Sequence, residues 1–205
     1  MHPYCRLGSG YPRHTDAVGV RDGGIDKTLG TWLEEQPVFF VATAPLQGDG
    51  VVNCSPKGNR GEFVVLDDTT VSYLEQTGSG VETIAHLREN GRIVVMFCAF
   101  TGPPRIVRLH GRGHVVSARD AEFTTLASRY EGGQGIGVRS IIVVNVTRLS
   151  DSCGYGVPLM EFAEHRPTMD QWSRRQGPEG IEQYQAIKNR RSIDGLPGLD
   201  VPGFS

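Results

Sequence analysis

Apolar residues along the chain change from a helical spacing to the shorter runs of strands. Trp32 and Leu33 follow Leu29 by three and four residues, as one face of a helix requires. Asp26 precedes them as a favourable N-cap, so the spacing predicts a helix over residues 26–36. Beyond it the apolar runs are short, rich in β-branched and aromatic residues, and bounded by turn formers, which indicates strands. The predicted strands are Pro37–Pro45, Val51–Ser55, Glu62–Leu66, Thr70–Leu74, Ile93–Phe100, Arg105–Val116 and Ser140–Val146.

Three further segments have a helical pattern. Ser79–Asn90 carries apolar residues at helical spacing, and Gly91 follows it as a stop signal. Residues 118–129 also predict a helix. In the C-terminal tail, the polar stretch Pro178–Arg190 predicts another.

The order of these segments favours an antiparallel β-barrel. Six or seven strands with short helices among them leave sheet edges exposed, and a closed or nearly closed sheet protects those edges. A parallel α/β sheet would require a regular alternation of strands and helices, which this pattern lacks. We therefore expect a mainly β (α+β) fold with peripheral helices. Residues 1–26 would form an N-terminal arm, residues 27–165 the barrel domain, and residues 166–205 a helical and extended tail packed on the barrel or on a partner subunit.

Composition narrows the class of protein. A length of 205 residues is typical of one domain, and 27 glycines with 12 prolines supply many tight turns, which suits a β-rich chain. The 21 basic and 23 acidic residues give a formal net charge of -2, whereas nucleic-acid-binding domains are usually strongly basic. The longest apolar runs are too short to span a bilayer, and the polar N-terminus shows no signal peptide. We therefore expect no nucleic-acid partner, no membrane insertion and a cytoplasmic location.

The cysteines and histidines show no spacing that indicates a metal site or a disulfide scaffold. The cysteines are Cys5, Cys54, Cys98 and Cys153. They form no C-x-x-C pair, and Cys54 and Cys98 are expected to act as small apolar residues within strands. His110 and His114 lie on one predicted strand, where four residues span about 13 Å, too far for two ligands of one ion. We expect no metal and reduced cysteines.

The first candidate site, Asn-Cys-Ser-Pro-Lys-Gly, lies at the end of a predicted strand. Alternation places Asn53, Ser55 and Lys57 on one face of that strand. Pro56 is expected to end the strand ladder, and Gly58 to let a ligand approach the backbone closely. An amide, a hydroxyl and an ammonium on one face suit a polar heteroaromatic ring or a phosphate. The plainer interpretation is a strand end with an exposed lysine.

The second candidate site is the turn Gln76–Gly80, directly before a predicted helix. Its threonine and serine supply hydroxyls, its two glycines leave backbone N–H groups accessible, and the helix dipole adds positive potential, so the turn suits an anion. The residues concerned are Thr77, Gly78, Ser79 and Gly80. The segment lacks the Gly-Lys-Ser/Thr ending of a P-loop and the third glycine of a dinucleotide fingerprint. The alternative interpretation is that Ser79 is the N-cap of the helix and the glycines are flexible.

Two other segments have plainer interpretations. Ser152–Pro158 contains two glycines around a tyrosine and predicts a tight turn. A reactive Cys153 in that turn would need a neighbouring base, which the sequence does not identify. The predicted strand Arg105–Val116 carries several arginines, for which a solvated face with salt bridges is favoured over a phosphate clamp.

Six motifs in a fixed order point to a known family. They are Trp32-Leu-Glu-Glu-Gln36, Asn53-Cys-Ser-Pro-Lys-Gly58, Tyr73-Leu-Glu-Gln-Thr-Gly-Ser-Gly80, His86-Leu-Arg-Glu-Asn-Gly-Arg92, Val95-Met-Phe-Cys-Ala-Phe100 and Ser152-Cys-Gly-Tyr-Gly-Val-Pro158. Together they resemble the pyridoxamine 5'-phosphate oxidase-related family of FMN-binding split-barrel proteins. The resemblance covers residues 27–200 and depends on the order and spacing of the motifs, because each motif alone is weakly specific.

This resemblance implies a six-stranded antiparallel split β-barrel that forms a homodimer, with FMN in each of two clefts between the subunits. It places the flavin phosphate at the second candidate site and the start of the following helix, and the isoalloxazine ring along the strand of the first. Relatives of the same fold bind a deazaflavin or haem, which are the alternative cofactors. The implied cofactor-binding residues are Asn53, Ser55, Pro56, Lys57, Gly58, Thr77, Gly78, Ser79, Gly80 and Thr83.

The sequence departs from the family's pyridoxal-phosphate-forming oxidases at points that concern the substrate. Those oxidases carry an Arg in the ring-contact strand and a Ser-x-x-Lys pair in the phosphate turn, whereas Glu82 and Thr83 stand where that lysine is expected. Their C-terminal substrate-binding Arg and His residues have no match here. The resemblance therefore implies an FMN-dependent oxidoreductase that exchanges hydride with a small molecule other than pyridoxamine phosphate. The alternative is a non-catalytic carrier or sensor that binds a flavin, a deazaflavin or haem.

Overall fold

The computed structural model describes residues 19–20, 23–59 and 61–203. Within these residues the chain forms eight strands and four helices. The strands are β1 (Gly19–Val20), β2 (Phe39–Thr43), β3 (Asn53–Lys57), β4 (Phe63–Val65), β5 (Thr70–Gln76), β6 (Arg92–Cys98), β7 (Ile106–Ser117) and β8 (Val138–Ser152). The helices are α1 (Lys27–Glu34), α2 (Glu82–Asn90), α3 (Phe123–Ala127) and α4 (Thr168–Lys188).

All of these strands belong to one antiparallel sheet. The order along the sheet is β3-β2-β6-β7-β8-β5-β4, and β1 pairs with β8. The sheet curls into a half-barrel, so Phe39 of β2 contacts Phe63 of β4 with their ring centroids 5.4 Å apart, although these strands lie near opposite ends of the sheet. The prediction of a mainly β split barrel with peripheral helices is confirmed.

Each of the seven strands predicted from the sequence pattern is present, and β1 adds an eighth. β1 lies in the predicted N-terminal arm, of which residues 1–18 and 21–22 lie outside the described residues. β3 begins two residues later than predicted, because the N–H of Val51 donates to the carboxylate of Asp194 at 3.0 Å instead of joining the ladder. β8 is longer than predicted at both ends, since it pairs with β5, β7 and β1.

Two apolar clusters lie on the two faces of the sheet. The inner cluster is centred on four aromatic side chains, whose neighbouring ring centroids are 4.9 to 5.5 Å apart. These side chains are Phe39, Phe63, Tyr73 and Phe97. The outer cluster lies between the sheet and α3. Successive residues of β8 alternate between them, with Ile142 in the inner cluster and Ile141 in the outer one. β8 therefore separates the two clusters.

The first two helices differ in how well their starts were predicted. In α1, the N–H of Leu29 donates to the carboxylate of Asp26 at 2.8 Å, which confirms the predicted N-cap. α2 begins at Glu82, three residues later than predicted, and Val81 occupies the N-cap position without a side-chain hydrogen bond. Its predicted end is confirmed at Gly91, whose φ of 69° is the left-handed conformation that favours glycine.

The other two helices differ from their predictions. α3 has five residues instead of the predicted span 118–129, because the N–H of Ser117 donates to the carboxylate of Asp120 at 2.7 Å in a turn that replaces the first helical turns. α4 is interrupted at Gly177, which has φ 67° and ψ 176°, so a second helical segment starts at Pro178, as predicted. Among the helices of the described residues, none has the length and mean hydropathy needed to cross a membrane.

Candidate functional site

A cleft of about 1770 Å³ opens between the end of β3, the turn after β5, and the C-terminal part of the chain. Its walls include the first turn of α2 and parts of α4. All ten residues predicted to bind a cofactor line this one cleft: Asn53, Ser55, Pro56, Lys57, Gly58, Thr77, Gly78, Ser79, Gly80 and Thr83. The two candidate segments, which are separate in sequence, therefore face a common space.

Asn53, Ser55 and Lys57 share one side of β3, as the alternation predicted. Each is half-buried, whereas Cys54 and Pro56 between them are exposed. The prediction that Cys54 is a buried apolar residue is therefore wrong, because it lies on the outward side of an edge strand. Pro56 does not end the ladder either, since β3 pairs with β2 through Lys57 and an edge strand tolerates a proline on its unpaired side.

A chain of side-chain hydrogen bonds joins β3 to α2 along the cleft. Ser55 Oγ donates to Asn53 Oδ1 at 2.9 Å. Asn53 Nδ2 donates to Thr83 Oγ1 at 3.1 Å and to Thr43 Oγ1 at 3.3 Å. Because Thr83 lies in the first turn of α2, these bonds fix the end of β3 relative to the start of the helix.

An ion triad of Lys57, Glu75 and Arg139 forms part of the cleft wall. Glu75 Oε1 accepts from Lys57 Nζ at 2.7 Å and from Arg139 Nη2 at 2.8 Å. Glu75 and Arg139 are 1% and 4% exposed, and Lys57 is 18% exposed. Burial opposes ionisation of Glu75, but the attraction of Lys57 and Arg139 outweighs it and lowers the pKa of this carboxyl below its usual 4.5. With two cations and one anion, the ion triad carries a net positive charge.

Gly58 is required by the neighbouring backbone. A Cβ atom at this position would clash with the carbonyl oxygen of Pro37 and with the Cα of Val38. The absence of a side chain therefore lets the chain after β3 pass close to the chain before β2. This packing alone explains why a glycine is needed at position 58. The close approach of a ligand to the backbone there stays a prediction.

The turn after β5 presents an exposed serine and open backbone to the cleft. Ser79 is exposed, and a Cβ atom added at Gly78 would meet open space. Since Val81 is the N-cap of α2, the alternative interpretation of Ser79 as the N-cap is wrong. A carboxylate oxygen of Glu82 lies against Gly80, which places a negative charge beside the turn.

The end of α4 and the residue after it hold this turn on the side of the tail. Gln185 Nε2 donates to Thr77 Oγ1 at 2.9 Å. Asn189 Nδ2 donates to the carbonyl oxygen of Gly78 at 2.8 Å. Thr77, Gln185 and Asn189 are all buried. The C-terminal tail is therefore part of the structure that shapes the cleft.

More than half of the chain, residues 25–153, matches the family model of pyridoxamine 5'-phosphate oxidase. The chain belongs to the pyridoxamine 5'-phosphate oxidase family. A relative in this family, the pyridoxamine 5'-phosphate oxidase family protein ustO of Aspergillus flavus, is 38% identical over 189 residues. The match covers 85% of this chain and 76% of that relative. It therefore extends beyond the barrel into the C-terminal tail or the N-terminal arm.

Two solved structures are similar to this member of the pyridoxamine 5'-phosphate oxidase family. HupZ of Group A Streptococcus is 21% identical with a TM-score of 0.51, over 63% of this chain and 94% of the HupZ chain. The FAD binding protein from Mycobacterium smegmatis is 17% identical with a TM-score of 0.44, over 63% of this chain and 95% of that chain. The likeness to HupZ supports the split-barrel fold.

Four polar residues that shape the cleft of this family member were not predicted from the sequence. Glu75 carried a signal, because alternation along β5 puts it on the same inner side as the buried Tyr73. The sequence could likewise have indicated Arg139, because it is a charged residue within a run of apolar strand residues that are buried. No sequence pattern indicated Gln185 and Asn189, since polar residues at a helix end are usually solvated.

Other features predicted for this family member are present outside these contacts. In the turn after β8, the N–H of Val157 donates to the carbonyl oxygen of Gly154 at 2.9 Å. Arg105 Nε and Nη2 donate to one carboxylate oxygen of Asp151 at 2.9 and 2.5 Å, and its guanidinium lies 4.8 Å from the ring centroid of Trp32. The salt-bridge interpretation of this arginine is confirmed.

In the described part of the chain, no group of three or more His, Cys, Asp or Glu residues is placed to hold a metal ion.

His86 is a buried histidine at the inner end of the hydrogen-bond chain from β3. Its Nδ1 lies 3.0 Å from Thr43 Oγ1, and its Nε2 has no partner among the described residues. Burial lowers the pKa of His86 below its usual 6.5, against a weaker attraction from Asp194, Glu82 and Glu89. The imidazole is therefore neutral in the folded protein at neutral pH.

We expect His86 to make the folded state sensitive to mild acid. Because its pKa is lower in the folded than in the unfolded state, His86 contributes stability above pH 6.5 that is lost as the pH falls toward the folded-state pKa. Urea denaturation above and below this pH measures the loss. The variant His86→Gln should lose less stability between the two pH values than the wild type, whereas His114→Gln, at an exposed histidine, should behave as the wild type. An equal loss in all three proteins would refute the assignment to His86.

Proposed function

We propose that this protein is an FMN-dependent oxidoreductase that exchanges hydride with a small molecule other than pyridoxamine phosphate. The observation that carries the proposal is the hydrogen bond from Asn53 to Thr83, which joins β3 to the start of α2 across one cleft. It holds a strand with polar ring-binding groups beside a turn suited to an anion. This arrangement suits a ligand with a polar ring at one end and a phosphate at the other.

The residues that line the cleft fit a flavin mononucleotide. A volume of about 1770 Å³ exceeds the roughly 300–1,000 Å³ of ordinary small-molecule pockets, so a cofactor and a substrate can be held together. At the turn, the open space beside Gly78 and the exposed Ser79 leave room for a phosphate. At β3, Asn53 Nδ2 and Ser55 Oγ already donate within the protein, so Asn53 Oδ1 and Ser55 Oγ offer their remaining lone pairs as acceptors to a polar ring edge.

Lys57 supplies positive charge at the ring end of the cleft. Its ammonium donates to Glu75, and the ion triad stays net positive because Arg139 also pairs with that carboxylate. A bound flavin would supply the hydride chemistry. The fixed charge of Lys57, in a wall that is partly shielded from water, would favour negative charge on the adjacent edge of the ring. Lys57 thus has an electrostatic role rather than that of an acid or base.

We expect Glu82→Gln to strengthen FMN binding by about three- to tenfold. The carboxylate of Glu82 lies against Gly80 and repels an anion at the turn. Removal of one like charge beside a solvent-screened anion site changes the binding free energy by about 1 kcal/mol. The glutamine keeps a side-chain oxygen that can accept from the N–H of Ile193, as Glu82 does at 3.3 Å.

Calorimetric titration of FMN into Glu82→Gln and the wild type measures this change. Glu179→Gln is the matched control, because Glu179 is exposed on α4 outside the cleft and its loss should leave the affinity unchanged. An affinity of Glu82→Gln equal to or weaker than that of the wild type would contradict a phosphate at the turn.

The absorption spectrum of the freshly purified protein tests the choice of cofactor. We expect yellow protein with a flavin spectrum, and quenching of flavin fluorescence when FMN is titrated into protein that has lost it. A deazaflavin or haem spectrum would show that the protein binds that cofactor instead of FMN. Colourless protein that binds no FMN would overturn the proposal.

Reduction experiments test the catalytic part of the proposal. FMN-loaded protein is mixed with NADPH or with a reduced deazaflavin, and the bleaching of the flavin is followed by stopped-flow absorption. Rapid reduction followed by transfer to an added acceptor supports an oxidoreductase. Failure with every donor would favour the alternative function, a non-catalytic flavin, deazaflavin or haem carrier on the same fold.

We also propose that the protein is a homodimer, with the outer face of β2 and β6 in the interface. Phe40 pairs with Met96 and Ala42 with Val94, and these side chains point away from the inner cluster and are half-buried. A contiguous apolar patch of this kind is typical of an interface. Sedimentation equilibrium should give twice the monomer mass of 22.4 kDa, and Met96→Glu should shift the mass toward the monomer. A monomeric wild type would refute this interface.

A further inference from the structure

We propose that Gln185 and Asn189 are positioning residues that turn two hydrogen-bond donors of the 77–80 turn, the Ser79 N–H and the Thr77 hydroxyl, toward the phosphate of the cofactor. Both residues belong to the C-terminal tail, which the sequence pattern did not connect with the site. The inference rests on the proposed function, in that it assigns the phosphate end of the flavin to this turn.

The peptide bond between Gly78 and Ser79 has its orientation fixed by Asn189. Asn189 is fully buried, and its Nδ2 donates to the Gly78 carbonyl oxygen at 2.8 Å. Arg139 Nη1 approaches the same oxygen at 3.4 Å. In a planar trans peptide the carbonyl oxygen and the following N–H point in opposite directions. A carbonyl held toward the tail therefore directs the Ser79 N–H away from the tail.

The Ser79 N–H is available to a ligand. It makes no hydrogen bond within the described residues, and Ser79 is exposed at the cleft. A backbone N–H held in place before a ligand arrives binds an anion without the entropic cost of ordering the turn. The hydrogen bond of Asn189 would thus act on affinity through the orientation of one peptide group.

The Thr77 hydroxyl is oriented by Gln185 in a related way. Gln185 Nε2 donates to Thr77 Oγ1 at 2.9 Å, so the oxygen acts as an acceptor in this bond. The hydroxyl hydrogen remains free to donate in another direction. The backbone of Thr77 is held as well, because its N–H donates to the carbonyl oxygen of Gly137 at 2.7 Å. Thr77 is buried but is among the residues that border the cleft, so a hydroxyl hydrogen turned away from Gln185 would face the phosphate.

The chain after α4 holds Asn189 in place. The N–H of Leu199 donates to the carbonyl oxygen of Asn189 at 2.7 Å, and the side chains of Leu199 and Val201 belong to the inner cluster. A Cβ atom at Gly198 would clash with the Asn189 carbonyl oxygen. The chain after α4 is therefore packed tightly against Asn189, which limits the freedom of its side chain.

The test compares FMN with riboflavin, which lacks the phosphate. Asn189→Leu and Gln185→Leu remove one donor each at similar side-chain volume, and Gln183→Ala is the control on the exposed side of the same helix. We expect each leucine variant to bind FMN about tenfold more weakly, the equivalent of one charge-assisted hydrogen bond, with riboflavin affinity unchanged. Equal weakening for both flavins would mean a merely structural role, and unchanged FMN affinity would also overturn the inference.

A second measurement does not depend on flavin binding. Inorganic phosphate is titrated into the isotope-labelled protein, and the amide resonance of Ser79 is followed by NMR. We expect this resonance to shift in the wild type and in Gln183→Ala, and to shift less in Asn189→Leu. A wild type that binds neither flavin refutes the proposed function, whereas a Ser79 resonance that phosphate leaves unmoved refutes this inference. If Asn189→Leu does not fold, Gln185→Leu replaces it, with the side-chain methyl resonance of Thr77 as the reporter, because Gln185 acts on the Thr77 side chain.

Discussion

Replacement of Glu75 by glutamine will lower the free energy of unfolding by about 3–5 kcal/mol. Glu75 is 1% exposed and its Oε1 accepts from both Lys57 and Arg139, so the neutral amide leaves two cations in the cleft wall without a counter-charge. Breaking a buried ion pair by removing one partner has a cost of this size, because the remaining charge is not solvated. Chemical denaturation of wild type and Glu75→Gln at neutral pH measures the difference.

The control for this experiment is the exposed pair of Arg119 and Glu182. Their side chains are 40% and 47% exposed and lie 3.0 Å apart, so Glu182→Gln should cost less than about 1 kcal/mol. Equal effects of Glu75→Gln and Glu182→Gln would contradict the assignment of a buried ion triad.

The same triad predicts a loss of stability in acid. The pKa of Glu75 is lowered in the folded protein, so its ionisation stabilises the fold above pH 4.5, the usual carboxyl value, and this contribution disappears as the pH falls below it. The pH range of this loss differs from the range in which His86 loses its contribution to stability, which lies near and below pH 6.5. Glu75→Gln should therefore have a flatter stability profile below pH 4.5 than the wild type.

Phe97→Ala will destabilise the protein by about 3–5 kcal/mol, as expected when a fully buried phenylalanine is truncated and leaves a cavity. The Phe97 ring is 0% exposed, and its centroid lies 4.9 Å from that of Phe63 and 5.5 Å from that of Phe39. It packs beside Phe39 of the adjacent strand β2 and joins β6 to β4 across the interior of the half-barrel. The change is measured by the same denaturation experiment.

A phenylalanine at the cleft rim serves as the control for Phe97→Ala. Phe162 is 53% exposed, and its truncation should change the free energy of unfolding by less than about 1 kcal/mol. Phe162→Ala is also expected to leave the cooperativity of unfolding unchanged. A small effect of Phe97→Ala, comparable to that of Phe162→Ala, would show that the interior can rearrange around the missing ring.

The strands and both candidate segments were predictable because their signals are local. Alternation along β3 placed Asn53, Ser55 and Lys57 on one side, and the hydroxyls and glycines of the turn after β5 marked an accessible backbone. The capping preference of aspartate and the left-handed preference of glycine gave the start of α1 and the end of α2. These signals depend on neighbours within a few residues.

The remaining features depend on contacts between distant parts of the chain. Glu75 and Arg139 meet because β5 and β8 pair with a register shift near Glu75, and no spacing in the sequence specifies that shift. The turn before α2 is held by Gln185 and Asn189, which come from the other end of the chain. Cys54 lies outside the core because β3 is at the edge of the sheet, which is a property of the whole topology.

The central place of β8 has a consequence for synthesis on the ribosome. β5 and β7 lie on either side of β8, so each has only one of its two neighbouring strands, β4 or β6, until the chain has been made through about Ser152. A shorter nascent chain presents the apolar sides of these strands to solvent, where they can pair with other chains. We expect arrested chains that end before Val138 to bind chaperones, and chains extended well past Ser152 to be released.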